Sequence, residues 1–248
     1  MALSRGPNIV TDGLVLCLDA ADEKSYSGSG TTWNDRSGNG YNGTLSGGVG
    51  FDSSCGGVLD FDGVDDKVAI PNSTNLQEHL MVDQTVCILM KLDPTYTSGR
   101  RNIINKEYGG EISVTVEDAA AASYYWAGQQ NNENGGGGDD EGGGYCNSST
   151  WMATGWFEKG NDIWVAYTVV RDIGNADILA YINGILREEE AACSPNTQSK
   201  VTSSELQIGT GYAGWWFGQI ASVRIYNRVL SASEVLQNFN AHKSRFGL

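Results

Sequence analysis

The densest group of residues able to do chemistry is acidic. Asp60, Asp62, Asp65 and Asp66 fall within one short stretch, with Gly63 in the middle. Alternating carboxylates on a strand face the same side, and β-sandwich glycosidases of the retaining kind set an acid and a nucleophile about 5 Å apart. Asp60 and Asp62 are the pair to which that chemistry would fall. Gly63 argues against it, because it signals a turn that takes Asp65 off the strand. A hydrolase of this kind would also be favoured by two inward-facing Glu residues on one strand. The sequence offers only Glu188-Glu189-Glu190, a charge run at a hairpin that reads as solvated. The same turn suits a hard cation better, since Ca²⁺ takes six to eight oxygens in irregular geometry. Asp62 and Asp65 are the expected Ca²⁺ ligands beside Asp66, with Asp19 and Asp35 from other loops as helpers. The competing reading is that Asp62 and Asp65 cap the turn through side-chain-to-backbone bonds.

Two aromatic clusters come next, Tyr124-Tyr125-Trp126 and Tyr212…Trp215-Trp216-Phe217. Strand alternation sends half of such a cluster inward. The other half, beside polar Asn-rich loops, is what a sugar-binding surface or a subunit contact would use. Tyr125, Trp126, Tyr212, Trp215 and Trp216 are the expected ligand contacts. The two histidines, His79 and His242, show no nucleophile-and-base pattern. His242 lies near the C-terminus, where it is expected to be solvated.

Composition narrows the class. The chain has 248 residues and a formal net charge of −14, from 30 acidic and 16 basic residues spread along it. Clustered Lys and Arg are missing, so a nucleic-acid partner is not expected. No apolar run of 18 residues exists, so no membrane span is expected, and the first twelve residues lack a signal-peptide core. The five cysteines form no C-x-x-C pair. Cys17 and Cys87 sit in apolar runs and read as small core residues, while Cys55, Cys146 and Cys193 lie in turns where pairing stays open. Mostly free thiols are the expectation, which fits folding in a reducing cytoplasm.

The elements that must position these groups are short strands. Leu14–Leu18, Val58–Phe61, Lys67–Ile70, Thr85–Leu92, Asn102–Asn105, Ile112–Val116, Ile163–Val170, Ile178–Ile182, Ile185–Arg187, Leu206–Ile208 and Phe217–Tyr226 are apolar runs separated by Gly, Asn, Asp and Ser. Asn183-Gly184 between two of them is a strong hairpin signal, and the Asp62–Asp65 turn reads as another. One helix is marked by the capping box Ser231-Ala232-Ser233-Glu234 and runs to about Lys243. Residues 127–149, AGQQNNENGGGGDDEGGGYCNSS, have almost no apolar content and read as a long acidic, Gly-rich loop. No linker divides the chain, so one all-β domain is expected: a two-sheet antiparallel jelly-roll sandwich with one short C-terminal helix.

Several motifs point the same way. Gly13–Ala20, Gly30-Thr31-Thr32-Trp33, Asp35–Gly40, Phe61–Asp66, Tyr181–Gly184, Leu206–Gly209 and Phe217–Arg228 resemble the LamG-like (concanavalin A-like) jelly-roll domains. The ending Gln237–Ala241 and Arg245–Leu248 is similar to the close of LamG-like proteins in tailed-bacteriophage virions. The resemblance implies a non-enzymatic fibre, tail or capsid-surface protein. It would be assembled in the host cytoplasm and displayed on the virion surface, with other virion proteins and a host-surface glycan as partners. It also implies Ca²⁺ near the Asp62–Asp66 turn. A homo-oligomer, with a trimer as the guess, is expected from the fibre setting. The alternatives are a bacterial carbohydrate-binding lectin module and a β-sandwich glycoside hydrolase. Residues from about 117 to 154 match no motif of the family.

Overall fold

The computed structural model describes residues 8–96, 99–107, 111–118, 124–129, 152–158, 162–175, 177–190 and 201–248. In chain order the strands are β1 (Leu14–Asp19), β2 (Thr32–Trp33), β3 (Gly43–Ser46), β4 (Gly50–Asp52), β5 (Val58–Asp62) and β6 (Lys67–Ile70). After helix α1 (Thr74–Leu80) come β7 (Gln84–Leu92), β8 (Arg100–Asn105), β9 (Ser113–Asp118), β10 (Tyr124–Gln129) and β11 (Met152–Glu158). Then follow β12 (Val165–Asp172), β13 (Asp177–Ile182), β14 (Ile185–Glu190), β15 (Leu206–Ile208), β16 (Phe217–Tyr226) and helix α2 (Ala232–Phe246).

The strands form two antiparallel sheets. The back sheet runs β14-β13-β12-β7-β16-β5-β4, with β1 also on β16; the front sheet runs β11-β10-β9-β8-β15-β6-β3-β2. The expected jelly-roll sandwich is therefore what forms. Its core lies between the sheets, where Leu16, Leu59, Phe61, Ile88, Met90, Tyr167 and Val223 from the back sheet meet Val68, Ile70, Ile104, Val114 and Ile208 from the front. Period-2 alternation explains this inward set. In β12, Val165, Tyr167 and Val169 point inward as the sequence suggests, whereas Ile163 precedes the strand and is exposed.

Alternation alone predicts that Ser222, Arg224 and Tyr226 on β16 face water. All three are buried, because α2 lies across the outer face of the back sheet. Val235 of α2 joins Cys87, Val170, Tyr181 and Tyr226 in a second apolar cluster. A third cluster of Val58, Leu89, Trp164 and Ala221 takes in Phe246 and Leu248. The capping box is made in full: the Glu234 amide donates to the Ser231 hydroxyl, and the Ser231 amide donates to Glu234 Oε2 at 2.9 Å. The helix runs to Phe246, one turn past the expected end, and stops at Gly247 in the left-handed region.

Two turn expectations separate here. Asn183-Gly184 closes the β13–β14 hairpin, with φ of 52° and 76°, the positive pair a type I′ turn requires. The Asp62–Asp65 turn is not a hairpin. β5 belongs to the back sheet and β6 to the front, so this turn is an arch that carries the chain from one sheet to the other. Helix α1 was not legible in the sequence, since Leu76 and Leu80 are its only buried residues. Ala127–Gln129, read as the start of the loop, instead continue β10 opposite Val114–Val116; the rest of the Gly-rich loop lies outside the described residues. Cys17 and Cys87 are buried free thiols as expected, and Cys55 is free and half-buried. Cys146 and Cys193 fall outside the described residues.

Candidate functional site

Four turns converge at one end of the sandwich. Phe217 at the start of β16 lies opposite Asp62 at the end of β5. The Asp93 amide, just past β7, donates to the Phe217 carbonyl at 3.0 Å. The turn after β3 approaches from the other side, with Gly47 packed so closely on the Asp65 carbonyl that a Cβ would collide with it. At the centre is the loop 209–216, which joins β15 to β16.

That loop is held by backbone and one side chain. The Gly209 amide donates to the Ile103 carbonyl at 2.8 Å, and the Trp216 amide returns to the Gly209 carbonyl at 2.7 Å. Gly209 has φ of +84°, and a Cβ there would collide with the Phe61 ring, so only glycine fits. Asn102 of β8 fastens the loop tip. Its Oδ1 accepts from the Ala213 amide at 2.7 Å, and its Nδ2 donates to Ser113 Oγ at 3.1 Å and Thr115 Oγ1 at 2.8 Å. Asn102 is fully buried, so these bonds replace its hydration. Sequence reasoning placed Asn102 only as a strand residue. Its polar type inside an apolar run, followed by Ile103-Ile104, was the available signal.

The aromatic residues divide. Tyr212 and Trp215 sit on the loop and are half-buried. Trp216 differs: it is 0% exposed and belongs to the central core. This corrects its expected role as a ligand contact. The reason is alternation at the entry to β16, which turns neighbours Trp215 and Trp216 to opposite sides. Tyr125 and Trp126 lie on β10, whose backbone pairs with β9 and β11. Their side chains are outside the described residues.

The carboxylates divide as well. Oxygens of Asp62, Asp65 and Asp66 all lie within 4.8 Å of one another. Asp62 Oδ1 accepts from the Val64 amide at 2.8 Å and the Asp65 amide at 3.4 Å, while Asp66 Oδ2 accepts from the Asp62 amide at 2.9 Å. The turn-capping role is thus real. It does not use all the oxygens: Asp66 is 3% exposed, and its Oδ1 is buried without a hydrogen-bond partner. Burial pushes the Asp66 carboxyl above the usual range; the Asp62 amide opposes this, and the charges of Asp62, Asp65 and Asp60 add to it. Hard oxygen donors, mutual repulsion and an orphaned buried oxygen fit a divalent cation of the Ca²⁺ class. Asp19 and Asp35 do not join this group. Asp35 accepts from the Cys17 and Ser37 amides, both at 2.9 Å, and from the Tyr41 amide at 3.1 Å. Asp19 is held by both its oxygens to Arg245 Nη1 at 3.1 Å and by Oδ2 to Arg224 Nη2 at 3.4 Å. Both are structural ties.

His242 also departs from expectation. It projects from α2 onto Arg224, half-buried, and contacts that guanidinium through Nε2. Burial, with the charges of Arg224 and Arg245, lowers its pKa to about 2, so it is neutral. Cys17 and Cys87 flank Arg224 in register on β1 and β7. Burial raises both thiols, which makes them inert rather than nucleophilic.

This two-sheet sandwich is the architecture of a large family. The model of the concanavalin A-like lectin/glucanases superfamily matches residues 62–236, and the chain belongs to it. Among solved structures, the binding domain of Paraclostridial Mosquitocidal Protein 1 is similar at TM-score 0.67 and 16% identity, over 93% of this chain and 52% of that one. The receptor binding domain of a botulinum neurotoxin C/D mosaic serotype gives TM-score 0.65 and 15% identity, over 93% and 51%. This chain therefore spans about half the length of those toxin domains. Domain 4 of AbnA, a GH43 extracellular arabinanase from Geobacillus stearothermophilus in complex with arabinotriose, gives TM-score 0.61 and 14% identity, over 92% and 98%. At these identities the likeness is one of fold. A search of curated protein sequences found no match. Among the described residues, no helix is long and apolar enough to cross a membrane.

Proposed function

We propose that this protein is a non-catalytic binding module that recognises a glycan or glycosylated receptor at the 209–216 end of the sandwich. The observation that carries the reading is the fastened loop that holds Tyr212 and Trp215, each only partly buried, beside an acidic turn. Aromatic faces suit the C–H faces of sugars, and rigid presentation lowers the ordering cost of binding. A sandwich of this fold that carries arabinotriose, and others that serve as toxin binding domains, support the class. The Asp62–Asp65–Asp66 turn is the Ca²⁺ site of this reading, with Asp62 and Asp65 as ligands and Asp66 completing the carboxylate set. A glycan array run with Ca²⁺ and with chelator tests it. Binding lost in Trp215→Ala supports the loop; absence of any glycan bound in either condition overturns it. Calcium titration calorimetry on the protein and on the Asp62→Asn/Asp65→Asn variant tests the metal, and equal heats would remove it.

The setting is proposed from the sequence resemblance: a bacteriophage virion protein, displayed on the particle and contacting other virion proteins. A homo-oligomer, with a trimer as the guess, belongs to that setting. Cryo-electron microscopy of the natural particle places the chain on it or rules it out, and light scattering of the purified protein gives the copy number. A bacterial lectin module is the outcome if glycan binding holds and no particle contains the chain.

A further inference from the structure

Arg101, the second residue of β8, stands against the same loop. Its guanidinium lies over the Tyr96 ring, 5.3 Å from the centroid. Gly214 of the loop is so close that a Cβ there would sit 3.0 Å from Arg101 Nη1. The Arg101 Nε is buried without a hydrogen-bond partner, and no carboxylate among the described residues pairs with the group. The Nε atoms of Arg171 and Arg224 are buried in the same way, but both of those guanidiniums are bonded elsewhere through their Nη atoms. Arg36, Arg224, Arg228 and Arg245 each pair with an Asp or Glu, and acidic residues outnumber basic ones 30 to 16. A partly buried guanidinium forgoes hydration at its Nε without compensation. The aromatic ring beneath fixes its plane, which leaves a fork suited to two parallel bonds from one anionic group.

We infer that the loop site takes an acidic glycan, with Arg101 binding the anionic group of a sugar whose ring lies against Trp215 of the 209–216 loop. Trp215 directly follows Gly214, so the same short loop carries both the aromatic residue and the backbone that Arg101 lies against. The inference rests on the proposed glycan-binding reading and specifies its ligand class. Carboxylate and sulfate ester share the required chemistry, and the test separates them.

The probes are tetragalacturonate, its full methyl ester, and a sulfated galactose tetrasaccharide of the carrageenan type. Each is titrated calorimetrically into the full chain, Arg101→Gln, Arg101→Lys and Trp215→Ala, with melting curves as the check on folding. The expected result is at least ten-fold tighter binding of the acid than of its methyl ester, a preference that weakens with salt and is abolished in Arg101→Gln. Arg101→Lys retains the charge but loses the paired bonds, so it keeps part of the preference. Preference for the sulfated sugar, lost in the same variant, supports the inference with sulfate as the group read. Equal binding of acid and ester, with both lost in Trp215→Ala, overturns it and leaves the glycan site standing. Should Arg101→Gln melt early, an undiminished acid preference in Arg101→Lys overturns the paired-bond reading. If no sugar on a broad array or among these probes binds, both readings fall.

Discussion

Replacing His242 with Gln should change how stability depends on pH. The imidazole projects from α2 toward the back sheet with Arg224 and Arg245 nearby, and its pKa falls from 6.5 to about 2. A group whose folded pKa is depressed binds its proton in the unfolded chain first. Its contribution is therefore intact above the unfolded value of 6.5 and is lost as pH falls below it. At pH 5 the unfolded imidazole is 1.5 pH units below its pKa, while the folded one remains neutral. At 1.36 kcal/mol per unit, the protein loses about 2 kcal/mol between pH 7.5 and pH 5 from this residue alone. Other groups titrate too. The raised Asp66 carboxyl works in the opposite sense, holding its proton longer when folded and so favouring the folded state as pH falls. The difference between wild type and His242→Gln isolates the histidine. Urea unfolding at both pH values should show wild type falling about 2 kcal/mol more than the variant over this interval. Parallel losses in the two proteins would mean that His242 is not held neutral in the fold, and the account of α2 packing on Arg224 would fail with it.

Trp216→Ala should cost about 3–5 kcal/mol in urea unfolding, as expected for a large core residue, whereas Trp215→Ala, at a half-buried position, should cost clearly less. Asn102→Ala removes the tie to the Ala213 amide and the two bonds to the Ser113 and Thr115 hydroxyls. It should cost about 1–3 kcal/mol and weaken glycan binding while leaving the overall circular dichroism intact. Ser231→Ala breaks the capping box of α2, and a loss of about 1 kcal/mol by thermal melting is expected; no loss would mean that sheet packing alone holds the helix.

Most of the fold was legible because it rests on local patterns. Strand periodicity placed β1, β5, β7, β12 and β16 within a residue or two, and the Ser231 and Asn183-Gly184 signals have mechanisms that act over a few residues. What was not legible depends on distant partners. Nothing near Asp62 says that β5 and β6 will join different sheets. Sequence spacing says that one of Trp215 and Trp216 points inward but not which, because the bulge between Ile220 and Ser222 and the entry to the strand set the phase. Asp19 looked like a free loop acid until Arg245, 226 positions later, came to rest on it. The acidic turn was found because its donors are contiguous. Arg101 was missed because its interest lies in the partners it lacks, which no sequence displays.

The pairing of β16 has a consequence for how the chain reaches this state. This strand lies between β7 and β5 and also carries β1, so it fills the middle of the back sheet although it comes after every other strand in the chain. During synthesis from the N-terminus, β1, β5 and β7 wait for a neighbour not yet made. Their unpaired edges and apolar faces are then open to foreign chains. Loop closure across some two hundred residues must precede the reward of burial, which slows the final step. Production of this protein should therefore be limited by the time its early strands spend without β16, and slower translation would lengthen that exposure rather than relieve it.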